Sequence, residues 1–131
     1  MTSEGTRHAA RERALELLYE AEQKGLSVES LLSELPVEPD QHTLDLVTGV
    51  AEHQAEVDGL IRRFARNWAL ERMPILDRAI LRLATFELAH RADVPTAVVI
   101  DEAVELAKAF STDDSGRFVN GVLSAVAGEV R

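Results

Sequence analysis

Apolar residues recur at steps of three and four along almost the whole chain, and that spacing leaves little room for anything but packed helices. In residues 7–24 the recurring positions are Ala10, Ala14, Leu17, Leu18 and Ala21, one face of a helix with 3.6 residues per turn. Gly25 stands where such a helix would end. Ser27 suits the cap of a short second helix over 28–35, which Pro36 stops. Asp40 suits the cap of a third, carrying Leu44, Val47, Val50 and Ala51. Between Gln54 and Asp58 the spacing slips, and Val57, Leu60, Ile61, Phe64 and Ala65 begin a new stripe, so this long helix is kinked or broken. The stretch "NWALERMP" reads as a connector anchored by Trp68 and Leu70. Pro74 then fits the first turn of a helix faced by Leu76, Ile80, Leu83, Ala84 and Leu88, which "RADVP" ends.

Residues 95–110 pull in two directions. "VPTAVVI" is rich in β-branched residues, but "DEAVELAKAF" continues at helical period with Ala103, Leu106, Ala107 and Phe110. A lone strand would find no second strand to pair with, so the segment reads as helix. Phe118, Val119, Val122, Leu123 and Val126 mark a final helix. Ser111 or Thr112 stands at its cap, and Asp113 and Asp114 fall in its first turn, where the helix dipole favours acids by ~0.3–1 kcal/mol each. Gly121 is expected to allow close helix packing, and Gly116 to soften the first turn. The fold class is all-α, with about seven helices.

The 131 residues include no cysteine, which excludes disulfides and thiolate chemistry and fits the cytoplasm. No apolar run approaches the ~20 residues of a membrane span, and the polar N-terminus has no signal-peptide character. Phosphate loops, HExxH and a calcium loop are all missing: with Gly116 at the sixth calcium-loop position, Val122 falls where the twelfth ligand should be. His42 and His53 share a helix face but lie ~16 Å apart along it, too far for one ion. Asp101–Glu102 and Asp113–Asp114 point ~100° apart on a helix, which suits surface charge better than acid–base pairs. No enzyme site, metal site or cofactor site emerges.

The net charge of −9 argues against a broad cationic surface of the kind that holds nucleic acid unaided. Two local features stand out against it. Arg7, Arg11, Leu15, Tyr19 and Glu22 form a stripe beside the apolar face of the first helix, with His8 alongside. That stripe is either a phosphate grip with a stacking ring or a solvated face with Tyr19 half-buried. Residues 62–82 hold Arg62, Arg63, Arg66, Arg72, Arg78 and Arg82, which form either a basic patch or partners for carboxylates elsewhere in the chain.

Three stretches carry a resemblance: "ARERALELLYEAE" at 10–22, "LDRAILRLATFEL" at 76–88 and "DVPTAVVIDEAVELAKAFSTDDSGRFVNGVL" at 93–123. Together they resemble the NusB family of bacterial transcription antitermination factors, over nearly the whole chain and least over 27–58. The resemblance implies two small helical bundles packed into one domain, with the N-terminal bundle over residues 1–70 and the C-terminal one over 71–131. It implies no catalysis and no cofactor. It implies binding of single-stranded boxA RNA from ribosomal RNA leaders, together with the small-subunit ribosomal protein NusE, in a complex with transcribing RNA polymerase.

Residue by residue, the resemblance implies RNA contacts at Arg7, His8, Arg11 and Arg13 of the first helix, at Tyr19, and at Arg117 and Phe118. It assigns Asp77, Asp113 and Asp114 to the partner surface. Ala9 and Ala10 replace part of a richer basic run, which implies weak RNA binding without the partner. The competing reading is a homodimeric helical interaction module with no direct RNA contact, because some relatives dimerise through the arginine-bearing surface.

Overall fold

The computed structural model describes residues 3–66 and 68–131, with side chains from residue 6 onward. Among these residues there are seven α-helices and no strand: α1 Ser3–Lys24, α2 Val28–Glu34, α3 Gln41–Glu52, α4 Gln54–Phe64, α5 Ile75–His90, α6 Thr96–Phe110 and α7 Asp113–Val130. A single 3-10 turn, Leu70–Arg72, precedes α5.

The helix ends follow from their residues. Gly25 adopts φ +65°, and the Leu26 N–H reaches the Ala21 carbonyl at 2.9 Å, so α1 ends in a left-handed Schellman turn. Ser27 Oγ accepts from the Ser30 N–H at 3.0 Å and starts α2. Asp40 stands at the cap of α3, but its carboxylate binds the Thr43 hydroxyl rather than a backbone N–H. The slip in spacing near Gln54 is a break at one residue, His53 (φ −110°, ψ 21°), which ends α3 and begins α4. Thr112, not Ser111, caps α7: its Oγ1 accepts from the Ser115 N–H at 2.9 Å.

Helix α5 is the axis of the molecule. From Ala79 to Leu88 every residue except Arg82 is buried, the all-round burial of a central helix. It packs against α1, α3, α4, α6 and α7, and residues from all seven helices join one apolar core. Side-chain pairs give the directions. Arg11 meets Glu87 and Glu22 meets Arg82, so α1 runs antiparallel to α5. Ser115 meets Asp77 and Arg131 meets Leu88, so α7 runs parallel to it.

Two close fits lock this arrangement. A Cβ at Gly49 would stand 2.1 Å from Phe86 Cζ, so only glycine lets the Phe86 ring lie on α3. At the C-terminal end of α5, the Arg131 guanidinium donates to the carbonyls of Leu88 (3.0 Å), Glu87 (3.2 Å), Arg91 (2.9 Å) and Val94 (2.6 Å). The Glu87 and Arg91 carbonyls already accept the Arg91 and Val94 N–H groups and take the guanidinium as a second donor, while Leu88 lies in the last turn, where a helix end leaves carbonyls without N–H partners. The glycine expectation for α7 is reversed. A Cβ at Gly121 would meet nothing within 4 Å, whereas one at Gly116 would stand 3.1 Å from Lys108 Cγ.

Candidate nucleic-acid interface

Apart from Tyr19, the residues that the resemblance assigned to RNA or partner fall into two places at opposite ends of α5. Asp77 and Glu87, which mark those ends, are ten residues apart in the sequence, or ~15 Å along the helix.

At one end lies the start of α1. Arg7 reaches Asp93 at 3.5 Å, and His8 Nδ1 lies 2.7 Å from Glu102 Oε1. Hydrogen bonding to the Glu102 carboxylate, reinforced by its charge, raises the His8 pKa above the usual imidazole value. Arg13 is exposed and pairs with Glu16 of the next turn, an interaction of small net worth.

Arg11 departs from the expectation of an RNA contact. It is 3% exposed, and its Nε and Nη2 donate to the two carboxylate oxygens of Glu87 at 2.9 and 3.0 Å. Its Nη1 stands 3.5 Å from Glu102. Leu15, one turn on, is also buried. The stripe therefore runs into the core, because α5 packs over that side of α1 and Glu102 of α6 reaches it. Glu102, read as surface charge, is drawn into this network too. Tyr19, further along α1, is half-buried, and its hydroxyl accepts from Gln23 Nε2 at 2.6 Å.

At the other end lies the start of α7. Asp113 and Asp114 are exposed, and Asp114 pairs with Arg117 one turn later. Both partners of that pair are largely in solvent, so it is readily exchanged for another ligand. Asp77 is 1% exposed, with its Oδ2 accepting from Ser115 Oγ at 2.9 Å. It lies buried beneath the first turn of α7, its carboxylate turned to Ser115 rather than to the surface.

Beside Arg117 the chain forms an open groove of about 590 Å³, lined by Phe64, Arg66, Trp68, Arg117 and Phe118. Phe118 and Trp68 meet edge to face with ring centroids 5.3 Å apart, and Trp68 remains 38% exposed. Gly121 and Val122 form part of the lining, which explains the open space at Gly121. The sequence placed Trp68 only as an anchor of a connector, and Arg66 only as one member of the arginine run of residues 62–82. The signal was the run "FARNW", two aromatic rings around an arginine.

Most of the arginine run of residues 62–82 is spent within the chain. Arg82 binds both Asp58 oxygens at 2.8 and 2.9 Å and reaches Glu22 at 3.1 Å. Burial opposes its charge, but the hydrogen bonds to Asp58 and Glu22 outweigh it and hold its pKa above the usual value. Arg78 joins Glu22 at 3.5 Å, Arg63 joins Glu129 at 3.2 Å and Arg62 joins Glu71 at 3.6 Å.

An aromatic and arginine groove on an acidic, all-helical chain suits binding, and comparison with known proteins shows its family. Residues 8–128 match the NusB family. The chain belongs to the NusB family. It is 51% identical over 130 residues to a transcription antitermination protein NusB of Saccharopolyspora erythraea, covering 95% of this chain and 88% of that one. It is 49% identical over 131 residues to the NusB of Beutenbergia cavernae, covering 89% and 86%. Among solved structures, T. maritima NusB superposes with a TM-score of 0.84 at 36% identity, over 94% of this chain and 91% of that one. A complex of the antitermination factors NusB and NusE with dsRNA matches with a TM-score of 0.81 at 26% identity, over 98% and 99%. Among the described residues no helix is long and apolar enough to cross a membrane.

Proposed function

We propose that the chain is a cytoplasmic transcription antitermination factor that binds single-stranded boxA-type RNA of ribosomal RNA operons. It does so jointly with the ribosomal protein NusE, and the complex acts on transcribing RNA polymerase. The role is one of binding, without catalysis. The observation that carries this reading is the groove at the start of α7, where Arg117 and Arg66 flank the rings of Phe118 and Trp68. Rings accept stacked bases and guanidiniums accept phosphates. Arg7, His8, Arg13 and Tyr19 provide a second contact along α1, and Asp113 and Asp114 face the basic partner. Arg11 and Asp77 act from beneath, by fixing α1 and α7.

A chain of net charge −9 holds RNA weakly and loses it as salt rises. A basic protein docked on its acids adds the missing positive field. Trp68 is the single tryptophan, so its fluorescence reports on the groove directly. A boxA-type RNA titrated into the chain premixed with NusE should quench Trp68 at far lower concentration than with the chain alone. Phe118→Ala and Arg117→Ala should each weaken that binding. Quenching that is equal with and without NusE, or untouched by both substitutions, would overturn the proposal.

A further inference from the structure

We propose that His53, Glu56 and His90 form a binding site for a divalent transition-metal ion of the zinc type. Two come from the α3–α4 junction and the third from α5, 34 residues after Glu56. His53 is the break between α3 and α4, Glu56 lies in the first turn of α4, and His90 lies in the last turn of α5. One potential ligand atom from each lies within 4.8 Å of the other two. The imidazoles face each other with centroids 3.9 Å apart and planes at 28°. His90 Nε2 already stands 2.8 Å from Glu56 Oε1.

The donor set decides the class of ion. Two imidazoles and a carboxylate match zinc and its neighbours in the first transition row, whereas magnesium and calcium select all-oxygen sites. Donors 2.0–2.2 Å from a tetrahedral ion stand roughly 3.3 Å apart, so the rings must splay slightly and turn one nitrogen each to a shared point. The room exists: the side chains of Glu56 and His90 are 52% and 33% exposed. The ion would replace the hydrogen bond between them, and water would complete the shell. The site also has an apolar wall, since the buried Phe86 ring lies 5.7 Å from His53 and 5.6 Å from His90. Such a wall limits water access and strengthens ligand bonds. A bound ion would tie the α3–α4 break to the end of α5, on helices that contribute only Phe64 to the Trp68 groove.

The test is calorimetric titration of the untagged full chain with zinc chloride, and separately with magnesium chloride. Saturable binding of one zinc ion and none of magnesium is expected. His53→Ala and His90→Gln should each weaken it by about tenfold or more, while His42→Ala should leave it unchanged. Circular dichroism checks that each variant is folded, and Glu56→Gln, at an exposed position, serves if a histidine variant is not. Absence of saturable zinc binding to the parent chain, or parent-like affinity in the folded site variants, would overturn the proposal.

Discussion

Replacing Arg11 with alanine separates an arginine that grips RNA from one that holds the fold. In the folded chain the Arg11 and Glu87 side chains are both almost fully buried, and two hydrogen bonds of 2.9 and 3.0 Å join them. Removing one member of such a pair typically costs ~3–5 kcal/mol, because the other charge is left in a dry interior. With a urea slope of ~2 kcal/mol per molar, a loss of ~4 kcal/mol lowers the unfolding midpoint by ~2 M.

Urea titrations at pH 7, with the double variant Arg11→Met, Glu87→Leu as the apolar replacement, check the reasoning. The double variant should recover most of the loss. An Arg11→Ala midpoint equal to the parent's, together with weakened RNA binding, would refute the inward assignment.

The other predictions concern single contacts. Glu102→Gln should lower the raised pKa of His8, as read from its imidazole resonances. The stability from this pair is complete below ~6.5, the unfolded imidazole value, and is lost as pH rises through the His8 value. Gly49→Ala should destabilise by ~1–3 kcal/mol through overpacking against Phe86, and Phe86→Leu in the same chain should relieve part of it, both measured by thermal unfolding. Thr112→Ala should cost ~1 kcal/mol through loss of the α7 cap. Asp113→Asn and Asp114→Asn should change stability far less, and whichever contacts NusE should lower joint RNA binding at unchanged melting temperature.

Helices and caps were legible in the sequence because both depend on neighbours in the chain. The face of α7 follows from Val119, Val122, Leu123 and Val126, and the break at His53 from the slipped spacing beside it. The segment "VPTAVVI" was legible by a global argument: β-branched residues prefer strands, but one strand alone leaves its backbone unpaired. What stayed hidden depends on pairs far apart in sequence. Spacing marks Arg11 as lying beside the apolar face, and nothing local shows that Glu87, 76 residues away, waits opposite. Asp77 looks like a favourable first-turn acid, and its burial comes from α7. His53 and His90 each looked isolated, because the comparison along one helix paired His53 with His42. The resemblance supplied the groove residues Arg117 and Phe118, whereas Trp68 joined them only through the packing of α4 and α7.

The Arg131 guanidinium bonds carbonyls 37 to 44 residues earlier in the chain. Those acceptors exist in the right places only after α5 has formed and α7 has come back alongside it. A contact made only at that stage predicts that Arg131→Ala speeds unfolding and leaves the folding rate almost untouched. The feature is a latch in time as well as in space, setting how long the C-terminal helices stay closed once the molecule has assembled.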